Sequence, residues 1–124
     1  MVEVNKYLDT YALVEIKKGN PKFAGYLNSN FVINDLTLAE FCAVLLREEG
    51  EEVAREWHDK LSSISMFVDK DILFEAIKFR YENRKKNLSF FDAVGYTFAI
   101  SKGYLFVTGD KEFEGLKGVE FVKK

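Results

Sequence analysis

Short segments of strand character alternate with longer segments of helical periodicity along most of this sequence. We predict strands at 4–8, 31–34, 64–68, 104–107 and 119–122. We predict helices at 11–18, 21–27, 38–49, 51–61, 72–85 and 90–102. Strands that are joined through helices run parallel, and a parallel sheet is covered by helices on both faces. The pattern therefore predicts an α/β fold, a three-layer α/β/α sandwich around a central, mostly parallel five-stranded sheet.

The length and composition indicate a single domain over 1–124. The chain has 124 residues, of which 48% are hydrophobic and 31% charged, with no linker or internal repeat. Eighteen Lys and Arg stand against twenty Asp and Glu, which leaves a net charge of −2. This balance creates no overall attraction to nucleic acid. Any such contact must therefore come from a local basic face.

Several classes of protein are excluded by what the sequence lacks. Cys42 is the only cysteine and His58 the only histidine, so an internal disulfide and a Cys/His zinc site are both impossible. We expect Cys42 to be a small core residue and His58 to be structural or exposed. The sequence shows neither a membrane-spanning segment nor a signal-peptide pattern. These features favour a reducing, cytoplasmic location and no membrane partner.

Four carboxylates fall where the predicted fold would bring distant segments together. Asp9 and Asp110 follow the first and fourth strands, while Glu40 and Asp92 are predicted in the first turns of two helices. Ligands of open parallel sheets bind beyond the carboxyl ends of the strands, where the strand order reverses. We therefore expect the four acids to converge at that edge. Clustered carboxylates repel one another unless a cation neutralises them, and hard oxygen ligands suit Mg²⁺ or Mn²⁺.

Each acid also has a purely structural interpretation. The sequences 37–40 and 89–92 both fit the capping-box pattern, in which the acid at the fourth position accepts hydrogen bonds at a helix start. Asp9 could be an N-cap, and Gly109 could supply special dihedral angles to an ordinary turn at 108–110. For a single acid, capping is the simpler explanation. The coincidence of all four favours a shared site.

Four segments carry a resemblance to a known family. Residues 7–10 (YLDT) match an Asp-Ser/Thr pair after the first strand, and 36–40 (LTLAE) match a lone Glu near a helix start. Residues 88–93 (LSFFDA) and 107–113 (VTGDKEF) are similar to the third and fourth acidic motifs. In their order and spacing, they make the chain resemble PIN-domain proteins, and specifically the VapC-type toxin ribonucleases of prokaryotic toxin–antitoxin pairs. One departure is Tyr11, which stands where small residues are common.

The resemblance implies an activity and a set of site residues. The acidic quartet would bind Mg²⁺ or Mn²⁺ and hydrolyse RNA phosphodiester bonds, with no nucleophilic side chain. Thr10 and Thr108 would support the acids, and Glu112 would be a possible fifth acid. The quartet itself consists of Asp9, Glu40, Asp92 and Asp110.

Basic residues are concentrated between the predicted helix 72–85 and Asp92. They could hold the phosphate backbone of RNA while Tyr81 offers a stacking face, or they could be a solvated helix end. Lys111, next to Asp110, is a further phosphate candidate. The basic residues of this group are Lys78, Arg80, Arg84, Lys85 and Lys86.

The resemblance also implies partners. VapC-like proteins form homodimers and are held inactive by a VapB-type antitoxin. Twelve Phe are many for a chain of this size, and we expect Phe67, Phe74 and Phe79 to exceed the needs of the core. Surplus apolar area of this kind predicts an interface.

Two other interpretations remain open at this stage. A phospho-receiver-like signalling domain has a comparable length and an Asp after its first strand, but it needs a phosphoacceptor Asp after its third strand, where this chain has the less well placed Asp69. A PIN-type domain could also be a catalytically inactive binding module. A nucleotide-binding enzyme is disfavoured because neither glycine-rich phosphate motif occurs.

Overall fold

A computed structural model describes residues 5–123 and shows a fully parallel five-stranded sheet. The strands stand in the order β3-β2-β1-β4-β5, and each neighbouring pair is parallel. The predicted α/β class and sheet are therefore confirmed. The strands are β1 (Lys6–Leu8), β2 (Phe31–Asn34), β3 (Ser65–Met66), β4 (Leu105–Thr108) and β5 (Val119–Phe121).

Six α-helices connect and cover the strands. Five of the six begin after a residue whose side-chain oxygen accepts a backbone N–H of the first turn. These residues are Asp, Asn or Ser, the types that favour the N-cap position. Short 3-10 turns occupy Gly25–Asn28, Ser62–Ile64 and Lys111–Phe113. The helices are α1 (Thr10–Lys17), α2 (Pro21–Ala24), α3 (Asp35–Glu49), α4 (Glu51–Leu61), α5 (Lys70–Glu82) and α6 (Phe90–Lys102).

The two faces of the sheet carry separate apolar cores. Tyr7 and Phe106 point to the face that is covered by α5 and α6, whereas Leu8 and Val107 belong to the core formed with α1, α3 and α4. This division follows from the alternation of side chains along a strand. All four side chains are fully buried. The two cores produce the three layers that the sequence predicts.

The strand order determines which edge of the sheet forms the ligand crevice. The chain adds β2 and β3 on one side of β1 and then crosses to add β4 and β5 on the other. The order therefore reverses at the β1/β4 pair, where an open parallel sheet forms its ligand crevice. The Asp9 N–H donates to the Val107 carbonyl at 3.3 Å, which extends the pairing to the last residue before α1.

Several predicted boundaries differ from the structure for local reasons. Helix α3 begins at Asp35, three residues before the prediction, because the Asn34 side chain caps it. Helix α5 ends at Glu82, because Asn83 leaves helical geometry and donates from Nδ2 to the Phe79 carbonyl at 2.9 Å. The third strand is only Ser65–Met66, since a 3-10 turn precedes it. The predicted strand residue Val4 lies outside the described residues.

Burial in α3 and α4 corrects one further expectation. Helix α4 buries Ala54 and Leu61, while Val53 and Trp57 are half-buried. Cys42 is half-buried rather than a core residue, because it lies towards the edge of the α3/α4 contact. His58 is also half-buried, with Nδ1 3.0 Å from the Asp59 carboxylate. Between residues 5 and 123, no helix has the length and apolar character needed to cross a membrane.

The hydroxyl of Tyr7 ties the centre of the sheet to the start of α3. Its Oη lies 2.6 Å from Thr37 Oγ1 and accepts the Asn34 N–H at 3.3 Å. The ring packs against Phe98 and Phe106 at centroid distances of 5.8 and 5.7 Å. A polar group buried this deeply is stabilising only while its partners are present.

We predict that Tyr7→Phe lowers the free energy of unfolding by about 1 to 3 kcal/mol, because buried partners lose their hydrogen bond. Equilibrium urea unfolding measures the change. Tyr81→Phe is the matched control, since Tyr81 is exposed and should change stability little. Equal stability of Tyr7→Phe and the wild type would show that the buried hydroxyl has no such role.

Candidate active site

Asp9 lies at the centre of the acidic edge. It is buried, and as the N-cap of α1 its Oδ1 accepts the Ala12 N–H at 2.8 Å. Its Oδ2 accepts the hydroxyl of Thr108 at 2.5 Å. Thr108 Oγ1 in turn accepts the Asp110 N–H at 3.0 Å. One threonine thus connects the acid after β1 to the loop after β4.

Glu40 reaches the same edge from the second turn of α3, not from the first turn as predicted. The predicted capping box at 37–40 is wrong, because the N-cap is Asn34, whose Oδ1 accepts the Leu36 and Thr37 N–H groups. The Thr37 hydroxyl bonds to Tyr7 instead. Thr10 Oγ1 donates to Glu40 Oε1 at 2.5 Å. Glu40 is therefore held beside the residue that follows Asp9.

Asp92 both caps α6 and faces the acidic edge. Ser89 N–H donates to Asp92 Oδ2 at 2.9 Å, and Asp92 N–H donates to Ser89 Oγ at 3.0 Å, which completes a capping box. The structural interpretation of this motif is therefore correct. The capping box fixes the orientation of the Asp92 carboxylate through Oδ2. Within residues 5–123, no hydrogen bond reaches its Oδ1.

The loop after β4 contains Asp110 and Glu112, which have different surroundings. Asp110 Oδ1 accepts the Glu112 N–H at 3.0 Å. The Glu112 carboxylate accepts the Asn87 N–H at 3.0 Å, so it binds the connection between α5 and α6. The structure thus places Glu112 as a link to that connection, beside the acidic edge rather than within it.

Gly109 has a packing role rather than the predicted special dihedral angles. It is absent from the glycines of positive φ. A Cβ at this position would overlap the ring of Tyr11, which lies directly over the Gly109 backbone. The large side chain at position 11 therefore requires a glycine between Thr108 and Asp110.

The pKa shifts show that the acids share one electrostatic field. Burial raises the pKa of Asp9 to about 7, the Thr108 and Ala12 hydrogen bonds oppose the shift, and the charges of Asp92 and Asp110 add to it. Burial and the charge of Asp92 also raise the pKa of Glu40. The structure therefore brings all four predicted acids within mutual electrostatic range.

A neighbouring cation acts on Asp92. Burial raises the pKa of that carboxyl, its Ser89 hydrogen bonds lower it, the Asp110 charge raises it, and Arg80 lowers it. Arg80 is thus a basic residue whose charge lowers the pKa of one of the acids. Its Nε donates to the Leu88 carbonyl at 2.9 Å, which holds the guanidinium between α5 and α6.

The donor set fits a hard divalent cation, although the side chains stand apart. Within residues 5–123, no three His, Cys, Asp or Glu side chains lie close enough to share one ion as they are placed. The available donors are nevertheless all carboxylate and hydroxyl oxygens, the ligands that Mg²⁺ and Mn²⁺ prefer. None of the four acids forms an ion pair with a described Lys or Arg.

Of the remaining predicted basic residues, Lys78 lies within α5, while three others lie beyond the end of that helix. Arg84, Lys85 and Lys86 occupy the turn after Asn83, where the Arg84 and Lys86 N–H groups donate to the Tyr81 and Asn83 carbonyls. Lys111 is exposed in the 3-10 turn that follows Asp110. These residues therefore flank the segments that carry Asp92 and Asp110.

Sequence reasoning missed Asn34, the residue that orients the helix carrying Glu40. An Asn before Asp35 at a predicted helix start is an ordinary N-cap signal and could have revealed it. Its Nδ2 is buried and finds no partner within the described part of the chain. The competing Asp69 is simply the N-cap of α5, accepting the Ile72 N–H at 2.9 Å.

Together, the parallel sheet and the acids at its order reversal define an α/β protein with an acidic edge site. The family model described as "PIN domain" matches residues 6–119. The chain belongs to the PIN-domain family, which confirms the resemblance seen in the four motifs and excludes the phospho-receiver interpretation.

Solved structures share this fold over nearly their whole length. A toxin–antitoxin complex from Klebsiella pneumoniae has 22% identity and a TM-score of 0.74, covering 93% of this chain and 95% of that one. VapC20 from Mycobacterium tuberculosis, a Sarcin-Ricin loop cleaving toxin, has 19% identity, a TM-score of 0.75 and coverages of 95% and 97%. A Pyrobaculum aerophilum protein has 26% identity, a TM-score of 0.69 and coverages of 96% and 91%. A comparison with curated proteins found no match.

We predict that Asp9→Asn stabilises the metal-free protein at pH 8 by about 1 to 3 kcal/mol and has no such effect below pH 4. The folded Asp9 pKa of about 7 exceeds the ordinary aspartate pKa of 3.8, so the folded state binds the proton more tightly. Stability of the wild type therefore falls as pH rises from about 4 to 7, and Asn removes this loss. Urea unfolding in EDTA across that pH range measures it.

Asp69→Asn is the matched control for this prediction. Asp69 caps α5 through the same kind of hydrogen bond but lies outside the acidic edge, and Asn is an equally good N-cap. Its effect on stability should be small and should not follow the same pH course. An Asp9→Asn protein that is no more stable than the wild type at pH 8 would show that the ionised Asp9 carboxylate does not destabilise the folded state.

Proposed function

We propose that this chain is a metal-dependent endoribonuclease that hydrolyses RNA phosphodiester bonds. The observation that carries the proposal is the convergence of Asp9, Glu40, Asp92 and Asp110 at the β1/β4 edge, with no basic residue of 5–123 paired to them. Membership of the PIN-domain family supports the same chemistry. The proposed metal ligands are these four acids, and the proposed ion is Mg²⁺ or Mn²⁺.

A bound divalent ion would supply Lewis-acid activation of water and neutralise charge at the phosphate. The chain's own groups fix the carboxylates for that task. Thr108 holds Asp9, Thr10 holds Glu40, and the Ser89 capping box holds Asp92. Because each acid already has a fixed partner, little orientation remains to be lost when ion and substrate bind.

The raised pKa of Asp9 couples ion binding to proton release. With a pKa of about 7 in the metal-free protein, Asp9 is partly protonated near neutral pH. A cation favours the ionised form and displaces that proton. Arg80, whose charge already acts on Asp92, is placed to attract the phosphate that approaches this edge.

The proposal extends to a VapC-type toxin that is inhibited by a VapB-like antitoxin and acts in the cytoplasm, where its RNA substrate is found. The support is the fold shared with the Klebsiella toxin–antitoxin complex and with VapC20. A homodimer is part of the proposal, supported by the exposed Phe67 and Phe74, which are 79% and 65% exposed. Phe79 does not contribute, because its ring packs on Tyr96 at 4.9 Å.

A catalytically inactive PIN-type binding module is the second candidate. The capping hydrogen bonds favour it, because Asp9, Asp92 and Asp110 each accept a backbone N–H at a helix start. In that case, the acids would only stabilise helix ends, and neither ion nor cleavage would follow.

We predict that Asp92→Asn lowers the rate of RNA cleavage in Mg²⁺ by several orders of magnitude, since it removes a ligand charge. The Asn side chain can still accept the Ser89 N–H, so α6 should remain capped. The measurement is cleavage of a fluorescent single-stranded RNA. Cys42→Ser is the control and should leave the rate unchanged. Undiminished cleavage by folded Asp92→Asn, or full activity in EDTA, would contradict the assignment.

Thermal melting tests the ion without knowledge of the substrate. We predict that Mg²⁺ at tenfold excess over its dissociation constant stabilises the wild type by about 1.4 kcal/mol, a shift of a few degrees. Asp9→Asn should lose most of this increment, whereas Asp69→Asn should keep it. An Asp9→Asn protein that retains the whole increment would place the ion elsewhere.

A further inference from the structure

A cavity of about 540 Å³ lies where α5, the turn after it and the start of α6 meet. Three basic side chains and two aromatic rings line it, together with apolar groups. The same short stretch of chain that forms its wall leads into Asp92. The lining residues that matter here are Arg80, Tyr81, Arg84, Lys86, Leu88 and Phe90.

The positive charge of the cavity is not neutralised by the protein. Within residues 5–123, the ion pairs of the structure lie elsewhere, and none includes Arg80, Arg84 or Lys86. The chain as a whole carries a net charge of −2, so this is a local basic site in an acidic protein. Concentrated, unpaired cations of this kind favour an anionic ligand.

Both arginines are held in place before any ligand binds. Arg80 Nε donates to the Leu88 carbonyl at 2.9 Å, which fixes the guanidinium and leaves its terminal nitrogens as donors. Arg84 Nη1 donates to the Tyr81 carbonyl at 3.0 Å, and its guanidinium carbon lies 4.5 Å from the centroid of the Tyr81 ring. The Arg84 guanidinium therefore lies over the Tyr81 ring, and the two groups form a cation–π pair, the Arg84–Tyr81 platform. Such preorganisation reduces the entropy lost on binding.

The Tyr81 ring of the cavity faces solvent and is 66% exposed, and Ile77, one turn before it, is 56% exposed. Phe90 adds a second, half-buried ring to the lining, which also packs against the core beneath α5 and α6. Exposed rings beside unpaired cations are the combination that binds unpaired nucleotides, since bases stack on rings or guanidinium planes while cations hold phosphates.

The cavity is joined directly to the acidic edge. Phe90 is the first residue of α6 and Asp92 the third, so wall and acid belong to one helical turn, which rises about 5.4 Å. Glu112 accepts the Asn87 N–H at 3.0 Å and thereby ties the cavity wall to the loop of Asp110. An RNA strand bound at the acidic edge would therefore lie near this cavity.

We propose that the cavity is a subsite for one unpaired nucleotide of the RNA. Its base stacks on the Arg84–Tyr81 platform, and Arg80 and Lys86 bind its phosphate. The inference rests on the proposed function, since it takes RNA as the substrate. An acidic peptide would satisfy the cations but would present no planar group to Tyr81 and Phe90. The exposed Tyr81 ring therefore favours a nucleotide over an acidic peptide.

The test is binding of a fluorescent 12-nucleotide single-stranded RNA to the full chain in EDTA, measured by anisotropy over a range of salt concentrations. Tyr81→Leu should weaken binding by about 5- to 150-fold, the factor for one stacked base, with an unchanged salt dependence. Tyr81→Phe should restore binding. An RNA with one abasic position should bind the wild type less tightly than the intact RNA does. Tyr81→Leu should not weaken its binding further.

Matched variants separate stacking from charge. Leu46→Ala removes an exposed apolar side chain of α3 outside the cavity and should leave binding unchanged. Lys86→Ala should reduce the slope of log affinity against log salt by about 0.7, the value for one phosphate of a single strand. The triple variant Arg84→Ala, Lys85→Ala, Lys86→Ala should reduce it further, whereas Lys70→Ala, at the other end of α5, should not.

The outcomes distinguish this inference from the proposed activity. Tyr81-dependent binding without any Mg²⁺-dependent cleavage would support the subsite and contradict the nuclease. Mg²⁺-dependent cleavage by the wild type, together with unchanged RNA binding by Tyr81→Leu, would support the nuclease and contradict the subsite. Equal affinity for the RNA and its duplex, an equal loss in Leu46→Ala, or Tyr81-dependent displacement of the RNA by a polyglutamate 12-mer would each overturn the nucleotide subsite.

Discussion

The hydrogen bond between the Thr108 hydroxyl and the Asp9 carboxylate joins the carboxyl ends of the two central strands. It lies where the strand order reverses, and it is buried, so its geometry is set by both cores at once. Thr108 also accepts the Asp110 N–H, and Thr10, next to Asp9, donates to Glu40. Two threonines thus place three acids from three distant segments. The fourth, Asp92, is brought in by α6, which packs on the same strands.

Three of the four proposed metal ligands, Asp9, Asp92 and Asp110, also accept N–H groups at helix starts, and Glu40 accepts a hydroxyl. These hydrogen bonds help to explain how like charges remain together in the folded protein. Each acid accepts at least one hydrogen bond from the protein, which partly offsets the repulsion and the cost of burial. The remaining penalty is visible in the raised pKa values of Asp9, Glu40 and Asp92. Burial is the largest cause of these shifts, and repulsion between the carboxylates adds to it. Under the proposed function, a bound ion would remove the part that repulsion causes.

The sequence predicts the parts of this structure that depend on local patterns. Strand and helix alternation fixes the sheet, and strand ends identify Asp9 and Asp110, while the Ser89 capping box identifies the start of α6. The sequence predicts Glu40 in the first turn of its helix, but it lies in the second, because Thr37 resembles an N-cap and is not one. The hydroxyl of Thr37 bonds instead to Tyr7, which lies 30 residues away. The tether between Arg80 and Leu88 and the one between Glu112 and Asn87 were likewise not predictable. Such contacts are set by tertiary packing rather than by spacing along the chain.

The close contact between Tyr11 and Gly109 also links two positions that are far apart in the chain. Tyr11 leaves no room for a Cβ at 109, and Gly109 is bounded by the threonine and the aspartate of the acidic edge. Relatives with a small residue at the position of Tyr11 have space for a side chain between those two residues. In this family, the two positions should therefore vary together, and a bulky residue at the first should occur with glycine at the second.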